Sequence, residues 1–251
     1  MAKSVRRVFP PAPTSARAVV LRAHPLASSF NSALADAWVH GARDGGAEVH
    51  VLDVHDLAFD PVLRLAHTGE QPLEEDLLRV QAEIAAAAHV TVAYPVWWGS
   101  LPAKLKGLFD RAFQPGWAYA AGDGVLPDKG LSGRTGRILV TMDAFGWYDR
   151  LVYGASARRQ VRNATFHFTG IKPTRVSTFG GIETSTPASR ATMLQRAQAA
   201  GVEDGKALVN RFGAPVQARA TRDVICEAPP GPAGEGLRSS GGPPARVYAN
   251  R

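Results

Sequence analysis

The sequence predicts an α/β fold built on a parallel sheet with helices on both faces. Three observations lead there. Five short apolar runs lie between residues 18 and 209, stretches of helical periodicity separate and follow them, and 251 residues suit one domain with trimmings. Strands that alternate with helices need crossovers, which are right-handed and lay the helices over the sheet.

Taken in order, Ala18-Val19-Val20-Leu21 reads as a buried first strand. Residues 30–46 follow as a helix that stops near Gly45-Gly46, a C-terminal signal. AEVHVLD at 47–53 alternates as the second strand. Leu73, Leu77, Val80, Ile84 and Ala88 recur at spacings of three and four, which marks an amphipathic helix over 73–88. HVTVAY at 89–94 is the third strand. Leu101, Leu105, Leu108 and Ala112 form the next helical stripe, with Ser100 expected as N-cap and Pro102 in the first turn. RILVTM at 137–142 is the fourth strand, residues 150–168 are weakly helical, and TRVSTF at 174–179 is the fifth strand. A last helix is expected from Pro187 to about Asn210. A domain of this period winds as a flavodoxin or as half a Rossmann fold.

Charge and cysteine content narrow the function. The net charge is +7 and the pI about 9.9, which alone would suggest a nucleic-acid partner. The excess lies at the two ends. Residues 1–17 hold four basic residues and no acid, and residues 206–251 hold seven basic against three acidic, so the stretch between carries a net charge of −1. That core has no basic footprint for nucleic acid. Residues 1–17 are expected as a disordered basic leader, 18–209 as the domain, and 210–251 as a Pro/Gly-rich flexible tail that cannot bury enough apolar surface to order itself. The single cysteine, Cys226, rules out an internal disulfide and fits a reducing, cytoplasmic setting. The seven histidines show no zinc spacing, and no metal is expected.

In an open parallel sheet, ligands bind beyond the carboxyl ends of the strands. The loop after the first strand, RAHPLASSFNSALAD, lacks a G-x-G-x-x-G turn. It offers His24, Ser28, Ser29 and Asn31 at a helix N-terminus, where hydroxyls and unpaired amides suit an anion. Taken alone, Ser29 or Asn31 as an ordinary helix cap is the simpler reading. The loop after the third strand, YPVWWGS, places two tryptophans where a core would not use them. Its backbone amides at 96–99 are expected to face the crevice, and its indoles to stack on a planar ring. The loop after the fourth strand, TMDAFGWYDR, adds small, polar and aromatic groups.

With these loops together, the sequence resembles the NAD(P)H:quinone oxidoreductases of flavodoxin fold, including bacterial drug-activity modulators. The resemblance is carried by AHPLASSFN at 23–31, DLAFDP at 56–61, YPVWWGSLPAKLKGLFDRAFQPGWAY at 94–119, GIKP at 170–173 and FGGIE at 179–183. It implies a three-layer α/β/α sandwich with a five-stranded parallel sheet in the order 2-1-3-4-5. It implies that His24, Ser28, Ser29, Phe30 and Asn31 hold the flavin phosphates. Pro95, Val96, Trp97, Trp98 and Gly99 would line the isoalloxazine, and Thr141, Met142, Asp143 and Ala144 would flank its polar edge. Tyr148 would be the active-site tyrosine. The histidine that accompanies it in animal members has no counterpart, and Arg150 or Tyr153 lies nearby instead. Trp117 and Tyr119 would border the substrate pocket, from a second subunit. The implied cofactor is FAD, with FMN the alternative. NAD(P)H is the hydride donor and a quinone or similar acceptor the substrate, by ping-pong transfer through flavin N5, in a homodimer. A flavodoxin-like electron carrier or ancillary regulatory subunit without quinone turnover is the competing reading.

Overall fold

The computed structural model describes residues 7–66, 71–122 and 126–215. Five parallel strands form the sheet: β1 (Arg17–Arg22), β2 (Glu48–Asp53), β3 (His89–Pro95), β6 (Thr135–Thr141) and β7 (Thr174–Phe179), in the order β2-β1-β3-β6-β7. Renumbered along the sheet, this is the expected 2-1-3-4-5 order. β4 (Tyr119–Ala120) and β5 (Asp128–Lys129) form a small antiparallel ladder that the sequence reading lacked. Two-residue strands are too short to show a period of two.

β3 is buried along its whole length, which accounts for its uninterrupted apolar character. On one face, α2 (Glu75–Ala86) and α3 (Ala103–Ala112) enclose Val19, Leu21, Val90 and Val92 with Leu77, Ile84, Leu105 and Leu108. On the other face, α1 (Phe30–Asp44) and α6 (Pro187–Phe212) bury Val20, Ala93 and Leu139 under Leu34, Trp38 and Ala197.

α1 and α6 touch backbone to backbone. A Cβ on Gly201 would lie 2.1 Å from the Trp38 carbonyl oxygen, and one on Gly41 would lie 2.0 Å from that of Gln198. Glycine is required at both positions by close approach. Beneath this contact, the Asp204 carboxylate accepts from Trp38 Nε1 at 3.0 Å and from Arg137 Nη2 at 2.9 Å. An anion with 4% exposure is tolerated because it is paired and hydrogen-bonded.

Three elements differ from expectation. α3 begins at Ala103 with Pro102 as its N-cap. Ser100 is not the cap, because its N–H and C=O both bond to Trp97 at 2.9 Å in a tight turn. The weakly helical 150–168 stretch is three pieces: α4 (Gly146–Leu151), α5 (Ser156–Arg159) and a π-helix (Gln160–His167). α6 runs two residues past Asn210.

Of the basic leader, residues 7–16 run as coil held against the domain. Val8 N–H donates to Gly116 O at 2.8 Å, Arg7 pairs with Asp128 at 2.7 Å, and Arg134 Nη2 donates to Pro11 O at 2.9 Å. Residues 1–6 and the tail from residue 216, Cys226 included, lie outside the described residues. Among the described residues, no helix is long and apolar enough to cross a membrane, and no His, Cys, Asp or Glu group is placed to hold a metal.

Candidate functional site

The strand register brings three loops to one edge. Arg22 pairs with Ala93, and Pro95 pairs with Thr141, so β1, β3 and β6 all end together. At this edge the buried Asn31 Nδ2 donates to Thr141 Oγ1 at 3.1 Å, joining the first loop to the end of β6. Its other polar atom, Oδ1, is buried with no hydrogen-bond partner among the described residues.

The first loop has a cap and a first helical turn with open amides. Ser29 is the N-cap of α1, with Oγ accepting from Ser32 N–H at 3.1 Å. The simple capping reading therefore holds for the Ser29 side chain. The N–H groups of Phe30 and Asn31 form no hydrogen bond among the described residues, as expected for a first helical turn open to a ligand. Ser28 is exposed beside them. His24 Nδ1 lies 3.0 Å from Leu26 N and 3.2 Å from Leu26 O, so either neutral tautomer keeps a partner within its own loop. Burial holds the His24 pKa below its ordinary value, which favours the neutral ring at pH 7. The Phe30 ring faces the Arg190 guanidinium at 5.3 Å, a contact from α6 with no local signature.

The second loop turns sharply after Pro95. Trp98 has φ +52° and Gly99 φ +70°, two successive left-handed residues. A tryptophan in that region costs on the order of 1 kcal/mol or more. Its side chain is fully exposed, while Trp97 is partly covered and meets the His24 ring edge-on at 5.8 Å. The amides at 96–99 do not all face the crevice, contrary to expectation. Val96 N–H donates to Thr141 O at 2.8 Å and Trp97 N–H to Ser100 O at 2.9 Å. The N–H groups of Trp98 and Gly99 take no hydrogen bond among the described residues. Val96 also packs against the core.

The third loop divides its roles. Met142 is buried in the core, so only its backbone reaches the loop. Its N–H donates to Phe179 O at 3.0 Å. Asp143 accepts from Glu183 N–H at 3.0 Å, which ties this loop to the 180–183 turn. Ala144 lies against that turn, since a Cβ on Gly180 would stand 2.9 Å from its carbonyl oxygen. Tyr148 contacts Trp147 at 5.7 Å and Tyr153 at 5.4 Å, both edge-on. Ser156 Oγ donates to Gly99 O, which ties the segment after Tyr153 to the double-tryptophan turn. Nothing local in the sequence marks Ser156 for this role.

Trp117 and Tyr119 are elsewhere. α3 carries the chain back to the amino edge of the sheet, where Trp117 meets Phe113 at 5.9 Å and Tyr119 meets Phe168 at 5.1 Å. Within one copy of the chain they do not join the three loops.

A family model described as flavodoxin-like fold matches residues 16–201. The chain belongs to this flavodoxin-like family. Its relatives include a protein named uncharacterized NAD(P)H oxidoreductase from Haemophilus influenzae, 26% identical over 71% of this chain and 91% of that protein. A protein named FMN-dependent NADH:quinone oxidoreductase from Ruegeria pomeroyi is 32% identical over 57% of this chain and 74% of its own length. Among solved structures, the NAD(P)H:quinone oxidoreductase from Methanothermobacter marburgensis superposes with a TM-score of 0.66 at 25% identity, covering 75% of this chain and 96% of that one.

The residues present fit a flavin of this family. Unpaired amides at the start of α1 and the His24 imidazole beside them suit phosphate, and the Trp98 and Gly99 amides suit carbonyl or nitrogen acceptors at a ring edge. The orphaned Asn31 Oδ1 suits a donor on the ligand.

Proposed function

We propose that the protein is a flavin-dependent NAD(P)H:quinone oxidoreductase whose flavin lies across the carboxyl ends of β1, β3 and β6. The observation that carries this reading is the Trp97-Trp98-Gly99 turn. A soluble chain holds a large apolar side chain in solvent and in left-handed backbone at a cost, and a ring-binding loop offsets that cost. The relatives named as quinone oxidoreductases support the same reading. Bound here, the flavin would take a hydride from the reduced nicotinamide and pass the reducing equivalents to the acceptor.

The chain's own groups have separable tasks. The α1 amides and His24 anchor phosphate. Trp97 and Trp98 provide a flat apolar wall. The unpaired amides of Trp98 and Gly99 stabilise charge that develops at the ring edge during reduction. Tyr148, exposed at the mouth, offers a hydroxyl to the acceptor.

FAD is the flavin proposed, on the likeness of Ser29-Phe30-Asn31 to FAD-binding members; the Ruegeria relative is named for FMN. A homodimer is proposed because Trp117 and Tyr119 can reach a site of this kind only from a second copy. A cytoplasmic location accompanies it, from the lone Cys226.

The deciding experiment is an absorption spectrum after incubation with FAD and, separately, FMN. The bound flavin is then released and identified by chromatography. A band near ~450 nm that bleaches on adding NAD(P)H and returns on adding a quinone is the expected result. Absence of bound flavin under both conditions would overturn the assignment and favour the ancillary-subunit reading.

A further inference from the structure

A cavity of about 620 Å³ opens beside the site, between α4, α5, the outer edge of β7 and α6. Its wall is Gly146, Trp147, Leu151, Val176 and Thr178, together with three arginines, Arg150, Arg158 and Arg196. Among the described residues, no carboxylate lines it. The nearby acid, Asp149, is buried and already accepts from Arg158 Nη2. Arg158 is thereby held in place, with Nη1 3.5 Å from Thr178 Oγ1. Arg150 has no ion pair or hydrogen bond among the described residues. Arg196 has no carboxylate partner among them and rests over the Phe179 ring at 5.3 Å.

Arginines that line a concavity repel one another unless an anion is shared between them, and the planar guanidinium is well matched to phosphate. The excess positive charge of the pocket contrasts with the near-neutral core of the sequence. Trp147, 63% exposed, adds a flat face suited to a purine. The same ring touches Tyr148, so the pocket and the proposed hydride-transfer site share a wall. The ligand that fits a cationic pocket next to a dinucleotide site is one with an extra phosphate on its adenosine end.

We propose that this pocket binds the adenosine 2′-phosphate of the hydride donor, with Arg150 and Arg196 as phosphate ligands and Arg158 as a fixed neighbouring charge, and so selects NADPH over NADH. This rests on the oxidoreductase reading for the identity of the donor, but the pocket can be tested without turnover.

The test is calorimetric titration of the full chain with adenosine 2′,5′-bisphosphate and with 5′-AMP. The bisphosphate is expected to bind at least about tenfold more tightly, the difference expected of one good charge-assisted phosphate contact. In R150A/R196A, both changes being at exposed positions, the preference should fall to near one. Equal binding of the two nucleotides, or a preference that survives in R150A/R196A, would overturn the proposal. So would equal competition by inorganic phosphate, which would mark an anion site with no nucleotide recognition. In turnover, the ratio of KM for NADH to KM for NADPH should fall toward one in the double variant. If neither dinucleotide is oxidised while the bisphosphate preference holds, the oxidoreductase reading fails and the pocket assignment stands.

Discussion

Asn31 and Thr141, 110 residues apart, are joined by a buried 3.1 Å hydrogen bond from Asn31 Nδ2 to Thr141 Oγ1. The bond fixes the amide so that Oδ1 stays buried without a partner among the described residues. A buried acceptor left unpaired costs about 1–3 kcal/mol, which a ligand donor recovers. Asn31→Ala is therefore expected to weaken flavin binding by about tenfold or more, read by fluorescence titration. An unchanged Kd would mean that Oδ1 does not face the ligand.

Trp98 separates binding from stability. Its side chain is fully exposed and its φ is +52°. Trp98→Gly removes little packing and relieves left-handed strain, so the melting temperature should stay level or rise by a few degrees. Flavin retention and quinone turnover should fall. Turnover unchanged at full flavin content would remove the double-tryptophan turn from the site.

Tyr148 is reached by solvent and held edge-on between Trp147 and Tyr153. Tyr148→Phe keeps both ring contacts and removes only the hydroxyl. Flavin content should be unchanged while kcat with a quinone drops on the order of tenfold or more, as for loss of one positioned hydroxyl. A change in flavin content alone would make it a structural residue.

His89 makes stability depend on pH. It is buried beside Arg137, Arg175 and Asp204, stacked on Trp38 at 5.6 Å, with Nδ1 2.7 Å from Thr135 Oγ1. Burial is the main cause that pushes its pKa down to about 4, and the arginines add to it against the pull of Asp204. Above the unfolded-state pKa of about 6.5 the ring is neutral in both states, so stability is then at its full value. As pH falls from there toward 4, the unfolded chain gains a proton that the folded one refuses, and stability is lost. Burial pushes the Asp204 pKa up, but the hydrogen bonds from Arg137 outweigh it and hold the carboxyl below its ordinary value, so its protonation adds a further loss at lower pH. Urea midpoints at pH 7 and pH 5 should differ in the wild type, and the difference should shrink in His89→Gln, with the remainder left to other histidines of lowered pKa such as His24.

Gly201 tests the α1–α6 contact. Gly201→Val forces a side chain into a gap where a Cβ would already meet the Trp38 carbonyl oxygen at 2.1 Å. Overpacking of this kind costs about 1–3 kcal/mol or more, and the thermal midpoint should fall by several degrees. A melting curve that does not move would mean that the helices can part freely.

The sequence by itself determined the sheet. Five apolar runs and the helices among them are local patterns, set by burial on two faces, and they appear in the structure in the expected order. It also singled out the three strand-end loops, because Trp97-Trp98 and the serines before α1 are out of place in a core. Only the tertiary structure decided which atoms in those loops are open. Whether an amide faces a ligand depends on partners far along the chain. Val96 N–H bonds to Thr141, Asp143 is taken by Glu183, and Met142 turns into the core. Local pattern alone makes Ser100 a helix cap, and the left-handed turn at Trp98 and Gly99 gives it another role. The three arginines of the β7 pocket come from α4, α5 and α6 and show no spacing in sequence. Folding alone places them on one wall, because that placement depends on which helices flank the edge strand.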